Sequence, residues 1–282
     1  MVVCSSWVTD VHKEEVTKWF SLLRERIVDK FFMIESEFSD QVPTVKKRSW
    51  NRSGGGGGES VVLYGTVFEK AGVNFSTVYG KMQDGFAAEI PGAAESGGEF
   101  WASGVSVVAH MCSPFVPAVH MNTRFVCTSK GWFGGGIDLT PIYSNDDDTE
   151  FFHDSVRATC DKFNSQYYSQ FKKNCDEYFY LAHRREARGV GGIFYDYLQG
   201  DFDNDFAFTR AVGECFMEVY PAIVQKRMHQ KWSEEEREYQ LLKRGRYVEF
   251  NLIYDRGTRF GLMTDGDPDA IMMSMPPLVK WV

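Results

Sequence analysis

Between Gly104 and Pro141 the chain reads GVSVVAHMCSPFVPAVHMNTRFVCTSKGWFGGGIDLTP, and its apolar and polar side chains alternate with a period of two. Side chains two apart on a strand point the same way, so this pattern predicts three consecutive β-strands. The first sets Val105, Val107, Ala109 and Met111 against Ser106, Val108 and His110. The second sets Val119, Met121, Phe125 and Cys127 against His120, Asn122 and Arg124. The third sets Phe133, Ile137 and Leu139 against Gly134, Gly136, Asp138 and Thr140. A half-buried sheet turns its polar face to water. Water-facing strands, however, are rich in Lys, Glu and Thr, whereas this face collects His, Asn, Arg, Asp and bare glycine. Two readings stay open: a solvent face, or the floor of a site for a polar ligand.

The flanking sequence has other periods. After Asp10 an apolar stripe of Val16, Trp19, Phe20, Leu23, Ile27 and Phe31 predicts an amphipathic opening helix. A segment ending in five glycines, Gly54 to Gly58, follows. Backbone N–H groups there can cradle an anion, but no Walker lysine follows, so a lid or a plain linker stands beside that reading. Alternation from Ser60 to Tyr79 predicts one or two strands, and Gly92 to Glu99 a loop. Beyond the three central strands, helices are predicted from Asp146 to about Phe163 and from Gln166 to Arg188, then a strand from Gly189 to Leu198. Helices from about Asn204 to His229 and from Ser233 to Lys243 come next, the latter opened by a capping box of Ser233 and Glu236. Arg246 to Asp255 alternates as a strand, with Arg259 to Met263 and Ile271 to Met275 available to pair beside it. Strands and helices are segregated instead of alternating, which predicts an α+β fold with a mainly antiparallel sheet covered by helices. No boundary or repeat divides residues 1–282, so one domain is expected.

The bulk numbers narrow the function classes. Among 282 residues, 43% are apolar, 25% charged and 15% aromatic, as in a globular protein with a deep core or a site for a flat ligand. A net charge of −8 argues against a nucleic-acid partner. Six cysteines without a C-x-x-C pair fit free thiols in a reducing compartment. No apolar run reaches membrane length and no leader pattern is visible, so a cytoplasmic protein is expected.

Several side chains are candidates for chemistry. His110 and His120 flank a short loop with Pro114 and Pro117, which brings two imidazoles toward each other. With His153 and His183 they allow a metal site, although no H-x-H or H-x-x-x-H spacing accompanies them; capping or packing is the other reading. Arg124 is either paired with Asp138 on the next strand or a fork for a substrate carboxylate. Asp138 follows three glycines that let a flat ligand approach the backbone; close strand packing explains the same glycines. Arg184, Arg185 and Arg188, near the end of a predicted helix, suit a solvated face.

Six further segments carry a resemblance to a known family: FEKAGVNFS (Phe68 to Ser76), PFVPAVHMNTRF, WFGGGIDLTP, YFYLAHRREARGVGGIF, LLKRGRYVEFNLIYDRGTRFGL and MSMPPLVKW. With the glycine run and GVSVVAH they resemble the oxygen-dependent coproporphyrinogen III oxidases over most of the chain from about Trp50. The resemblance implies a large antiparallel sheet flanked by helices on both faces, with the site between sheet and helices. It implies oxidative decarboxylation of two propionates of coproporphyrinogen III to vinyl groups, giving protoporphyrinogen IX in haem synthesis, with O2 as co-substrate. No organic cofactor is implied, and a divalent metal is not expected to be required. A homodimer is implied, with the contact in the C-terminal strand region from about Tyr247. Carried over residue by residue, His120 stands at the proton donor's place, Ser106, Asn122, Thr123 and Arg124 at substrate contacts, and Asp138 at the aspartate that holds pyrrole N–H groups. His110, His120, His153 and His183 match the histidines proposed as metal ligands.

The match has departures. After Gly261 the family's substrate-contacting arginine is replaced by the loop TDGDPDA, with Asp267 at that place; Asp265, Gly266 and Asp267 are then expected to contribute backbone contacts. The chain stops at Val282, soon after PPLVKW, and no transit segment precedes it. Two other functions remain as alternatives, a His-cluster metal oxygenase or hydrolase, and a non-catalytic tetrapyrrole carrier.

Overall fold

In the computed structural model the described residues are 8–82, 87–88, 90–263 and 266–281. The three expected strands are the centre of a seven-stranded antiparallel sheet. Its strands are β1 (Thr44–Asn51), β2 (Gly56–Tyr64), β3 (Phe68–Lys81), β4 (Glu99–Met111), β5 (Ala118–Cys127), β6 (Gly131–Thr140) and β9 (Gly191–Leu198), in the order β1-β2-β3-β4-β5-β6-β9. Six strands form a meander, which needs only short turns. β9 closes the β6 edge after an excursion through helices α2 (Asp146–Asp161) and α3 (Tyr167–Tyr178) and a hairpin of β7 (Tyr180–Leu181) and β8 (Glu186–Ala187).

One sheet face is the core. Val105, Val107, Ala109, Val119, Met121, Phe125, Phe133 and Ile137 are at most 2% exposed, and they pack on α1 (Asp10–Phe38), α2 and α4 (Phe202–Arg227). The apolar stripe read from the sequence is the face α1 buries, with Val16, Phe20, Leu23, Ile27 and Phe31 fully inside. Thr9, not Asp10, caps the helix. The other face is covered at one end by α5 (Glu234–Ile253), α6 (Arg256–Met263), α7 (Pro268–Ile271) and a 3-10 turn, Met272–Ser274. The fold is therefore α+β, with helices on both faces of a large antiparallel sheet.

Four expectations fail, each for a local reason. Arg246 to Asp255 is not a strand: the helix begun by the Ser233–Glu236 capping box runs on to Ile253, burying Gln240, Leu241, Arg244, Tyr247, Phe250 and Asn251 at helical spacing. Arg259 to Met263 lies in α6, and Ile271 to Met275 spans the end of α7 and the 3-10 turn. The helix expected to reach Arg188 stops at Tyr178, where the β7–β8 hairpin folds back through Arg185 at a φ of 55°. The glycine run is neither lid nor linker. Gly55 and Gly56, at φ 123° and 79°, turn the chain from β1 into β2, and Gly56–Gly58 are already strand.

Cys112, Cys160, Cys175 and Cys215 are free thiols, whereas Cys127 is disulfide-bonded, contrary to the all-thiol expectation. Among the described residues no helix is long and apolar enough to cross a membrane.

Candidate active site

Strand register builds the site on the sheet face opposite the core. Ser106 of β4 pairs with Asn122 of β5, Asn122 with Gly136 of β6, and Gly136 with Phe194 of β9. One step along, Val108, His120, Asp138 and Gly192 form the next row, and on the other side lie Gly104, Arg124 and Gly134. A polar face with bare glycines thus lies beneath a wall of aromatic rings. Tyr178 and Phe194 stack at 4.5 Å, and Phe179 meets the His120 ring edge-on at 5.8 Å.

Asp138 is the electrostatic centre of that face. Its side chain is 2% exposed, accepts a hydrogen bond from Arg188 at Oδ2, 2.6 Å, and engages His120 Nδ1 through Oδ1, 2.8 Å. Burial alone would raise its pKa. The Arg188 charge and the His120 hydrogen bond outweigh that and hold the carboxyl below its ordinary range. Arg188 is buried too, its guanidinium 3.9 Å from the Phe179 ring centre, 4.6 Å from that of Tyr247 and 4.7 Å from that of Phe250. The solvated face expected for Arg188 is wrong: the hairpin after α3 carries it inward because a buried carboxylate needs a countercharge. With Nδ1 held by a carboxylate, a neutral ring carries its proton there and keeps Nε2 as its acceptor. His120 retains 16% side-chain exposure, against 2% for Asp138.

Arg124 does not pair with Asp138. Its Nη2 lies 2.9 Å from Oδ2 of Asp196 on β9, and the two side chains are 29% and 15% exposed. Asn122 presents a buried amide oxygen without a hydrogen-bond partner, and Ser106 is half-buried beside it. At the rim the exposed Arg256 lies over the rings of Tyr178 and Phe194, at 5.0 Å and 5.6 Å.

Not every candidate reaches this face. Thr123 pairs with Val105 and Gly135 on the core side and is fully buried. Asp265 lies outside the described residues. Gly266 donates its N–H to Gly261 O. Asp267 caps α7 by accepting from Ala270 N–H, and its other oxygen accepts from Arg48 of β1 at 2.6 Å; its charge is turned away from the centre of the face. Asp269 accepts from the same guanidinium.

The four histidines are not brought together. His110 is buried, with Nε2 2.9 Å from Ser274 O, and burial, aided by the charges of Arg244, Lys70 and Arg188, lowers its pKa from 6.5 to about 3. His153 bridges Val190 O and the Tyr168 hydroxyl, and burial lowers its pKa as well. His183, placed on a helix by the sequence pattern, sits in the β7–β8 turn, between the Glu249 carboxylate and the Tyr254 hydroxyl. Among the described residues no group of three or more His, Cys, Asp or Glu can hold a metal ion, so these donors do not fit a shared metal centre.

Arg188 and Asp196 are site residues that sequence reasoning missed. The signal available for Arg188 was a buried carboxylate, Asp138, that had been assigned no cation once Arg124 was read as a carboxylate fork. For Asp196 it was a lone acid in the apolar run GGIFYDYL.

Fold and site together define a class: an α+β protein whose antiparallel sheet presents a glycine-bared face, bordered by arginines, with a buried Arg–Asp–His series in it. Residues 15–282 match the coproporphyrinogen III oxidase family, and the chain belongs to that family. It is 54% identical over 275 residues to the oxygen-dependent coproporphyrinogen-III oxidase of Rickettsia bellii (strain OSU 85-389), covering 96% of this chain and 98% of that one. It is 55% identical over 276 residues to the enzyme of the same name from Rickettsia africae (strain ESF-5), with the same coverage of 96% and 98%.

Proposed function

We propose that this protein is an oxygen-dependent coproporphyrinogen III oxidase, converting two propionates of coproporphyrinogen III to vinyl groups and giving protoporphyrinogen IX in haem biosynthesis. The observation that carries the reading is similarity over nearly the whole chain to relatives bearing that name. In each turnover the carbon attached to the pyrrole loses hydrogen, the bond to the carboxyl carbon breaks, and CO2 departs. The two electrons released pass to O2, which leaves as hydrogen peroxide. The site's work is orientation and electrostatics.

Each side chain has a part. Arg124 binds the carboxylate of the reacting propionate, and Arg256 is a second cation for the periphery of the macrocycle. The unpartnered amide oxygen of Asn122 accepts a pyrrole N–H, with Ser106 as a neighbouring polar contact. His120 donates or accepts the proton at Nε2, and Asp138 with Arg188 fixes the ring that does so. Because both Asp138 oxygens are engaged, by Arg188 and by His120, Asn122 and His120 are the acceptors left for the pyrrole donors. Gly266 and the loop around it offer backbone groups only.

The protein acts as one domain and as a cytoplasmic homodimer through its C-terminal region, with no organic cofactor and no required divalent metal. Metal-stripped protein in chelator, given coproporphyrinogen III, tests the reading. Two equivalents of CO2 per substrate should appear in air and none under strict anaerobiosis. Tight binding without CO2 in air would make the protein a carrier, and activity restored only by added metal would make it a metalloenzyme.

A further inference from the structure

Strand β9 carries one residue too many. Gly136 pairs with Phe194 and Gly135 with Tyr195, but Phe133 pairs with Leu198, so Asp196 and Tyr197 together face Gly134. This is a β-bulge, a device that bends a strand and re-aims a side chain. Tyr197 takes up the extra length at a φ of 59°, a region costing a non-glycine residue about 1 kcal/mol. Its backbone N–H donates to Asp196 Oδ1 at 3.1 Å, and its ring packs on Trp132 at 5.6 Å. The bent strand aims Asp196 across Gly134 at Arg124. Glycine leaves room for the pair, since a Cβ there would sit 2.7 Å from Asp196 Oδ1 and 3.1 Å from Arg124 Nε and would push the two side chains from this geometry. A bulge, a strained tyrosine and a glycine therefore serve one part-exposed ion pair. A part-exposed pair contributes little to stability, which does not account for the arrangement.

We propose that Asp196 is a positioning residue for the decarboxylation, the resident counter-ion of Arg124 that each substrate propionate displaces and that recaptures the guanidinium once the carboxylate has left as CO2. This rests on Arg124 as the carboxylate fork. The substrate arm enters with one negative charge and the product arm leaves with none. Without Asp196, the guanidinium would face a neutral vinyl group in a part-desolvated site after every turnover, a costly state. With it, substrate binding is weakened by competition and product release is assisted. The arrangement suits a reaction performed twice on one macrocycle, because Arg124 must let go of the first arm before it takes the second. The pair also holds the fork along the sheet face between arrivals, beside the His120 row.

The test is steady-state kinetics of Asp196→Asn and Asp196→Glu against wild type, with the tricarboxylate intermediate quantified, and each change repeated on an Arg124→Ala background. Asp196→Asn should lower KM for coproporphyrinogen III by about tenfold, the equivalent of 1.4 kcal/mol. It should lower kcat by a similar factor and accumulate the tricarboxylate, while Asp196→Glu restores most of both constants. On the Arg124→Ala background the Asn change should leave KM where it was. If KM rises or stays unchanged, or if the effect persists without Arg124, the proposal is wrong. If the Asn variant does not fold, Asp196→Ser takes its place: its KM must fall with Arg124 present and stay unchanged without it. Wild type assayed in parallel separates the two ideas, since inactive wild type refutes the oxidase reading whereas active wild type with an indifferent Asp196 refutes only this proposal.

Discussion

Arg188 and Asp138 each keep 2% of the side chain exposed, and each would cost several kcal/mol to desolvate alone. Their pairing makes both charges tolerable, so breaking it from one side is the expensive change. Asp138→Asn should lower stability by about 3 kcal/mol, read from the urea midpoint, and should lower turnover as well because His120 loses its anchor. Replacing both partners, Asp138→Asn with Arg188→Met, should recover most of the stability and none of the turnover; recovery of activity would remove the series from the mechanism. Asp138 is held below its ordinary 3.8, so its contribution is present above that value and is lost as pH falls further. His110 sets a second, higher window. In the unfolded chain it takes a proton near 6.5, but in the fold only near 3. The unfolded state therefore binds the extra proton between those values, and stability should fall as pH drops through them, by up to about 1.4 kcal/mol per unit. Urea midpoints of wild type and His110→Gln from pH 7 to 4 check this, the variant lacking that slope.

At the scale of elements, the joint between α1 and the β2–β3 turn depends on one buried acid. Glu35 is fully buried, and its oxygens accept from the backbone N–H groups of Thr66, Val67 and Phe68 and from the Thr66 hydroxyl. Glu35→Gln turns an amide donor toward those donors and should destabilise the fold by about 2 kcal/mol, measured by thermal or urea unfolding. The sequence pattern showed α1 and the central strands clearly because each has one wet or polar face and one dry face. It did not show β1, where TVKKRSWN lies on an exposed edge and offers no apolar stripe to read. It misread α5 because RYVEFNLIYD satisfies both a period of two and the spacing of Tyr247, Phe250 and Asn251 on a helix. The capping box ten residues earlier was the better guide, since a helix once begun extends at little cost. The polar face of β4, β5 and β6 was legible as a face, yet its ion pairs were not. Arg188 reaches Asp138 from 50 residues away, and Asp196 reaches Arg124 only because a bulge redirects β9.

For the whole molecule, exposed apolar side chains occur along the chain, and one group of them lies near its C-terminus. Leu252, Ile253, Leu262, Met263, Leu278 and Trp281 keep between 44% and 60% of their surface accessible, and all lie in the C-terminal part of the chain. Scattered single apolar residues are ordinary, but six in one stretch of sequence fit a contact with a second copy. Tyr247 itself is buried against Arg188, so we propose that the contact with a second copy uses the exposed side chains beyond it, on the outer side of α5 and on α6. Burying such side chains contributes about 25 cal/mol per Å2, and a stable pair needs on the order of 1,000 Å2 or more. A charge among these side chains should therefore dissociate such a contact. Ile253→Lys and Leu262→Lys are expected to shift the protein from dimer to monomer in sedimentation equilibrium at micromolar concentration, with the monomer's fold intact by circular dichroism. A monomeric wild type would refute the dimer, and variants that remain dimers would place the interface elsewhere.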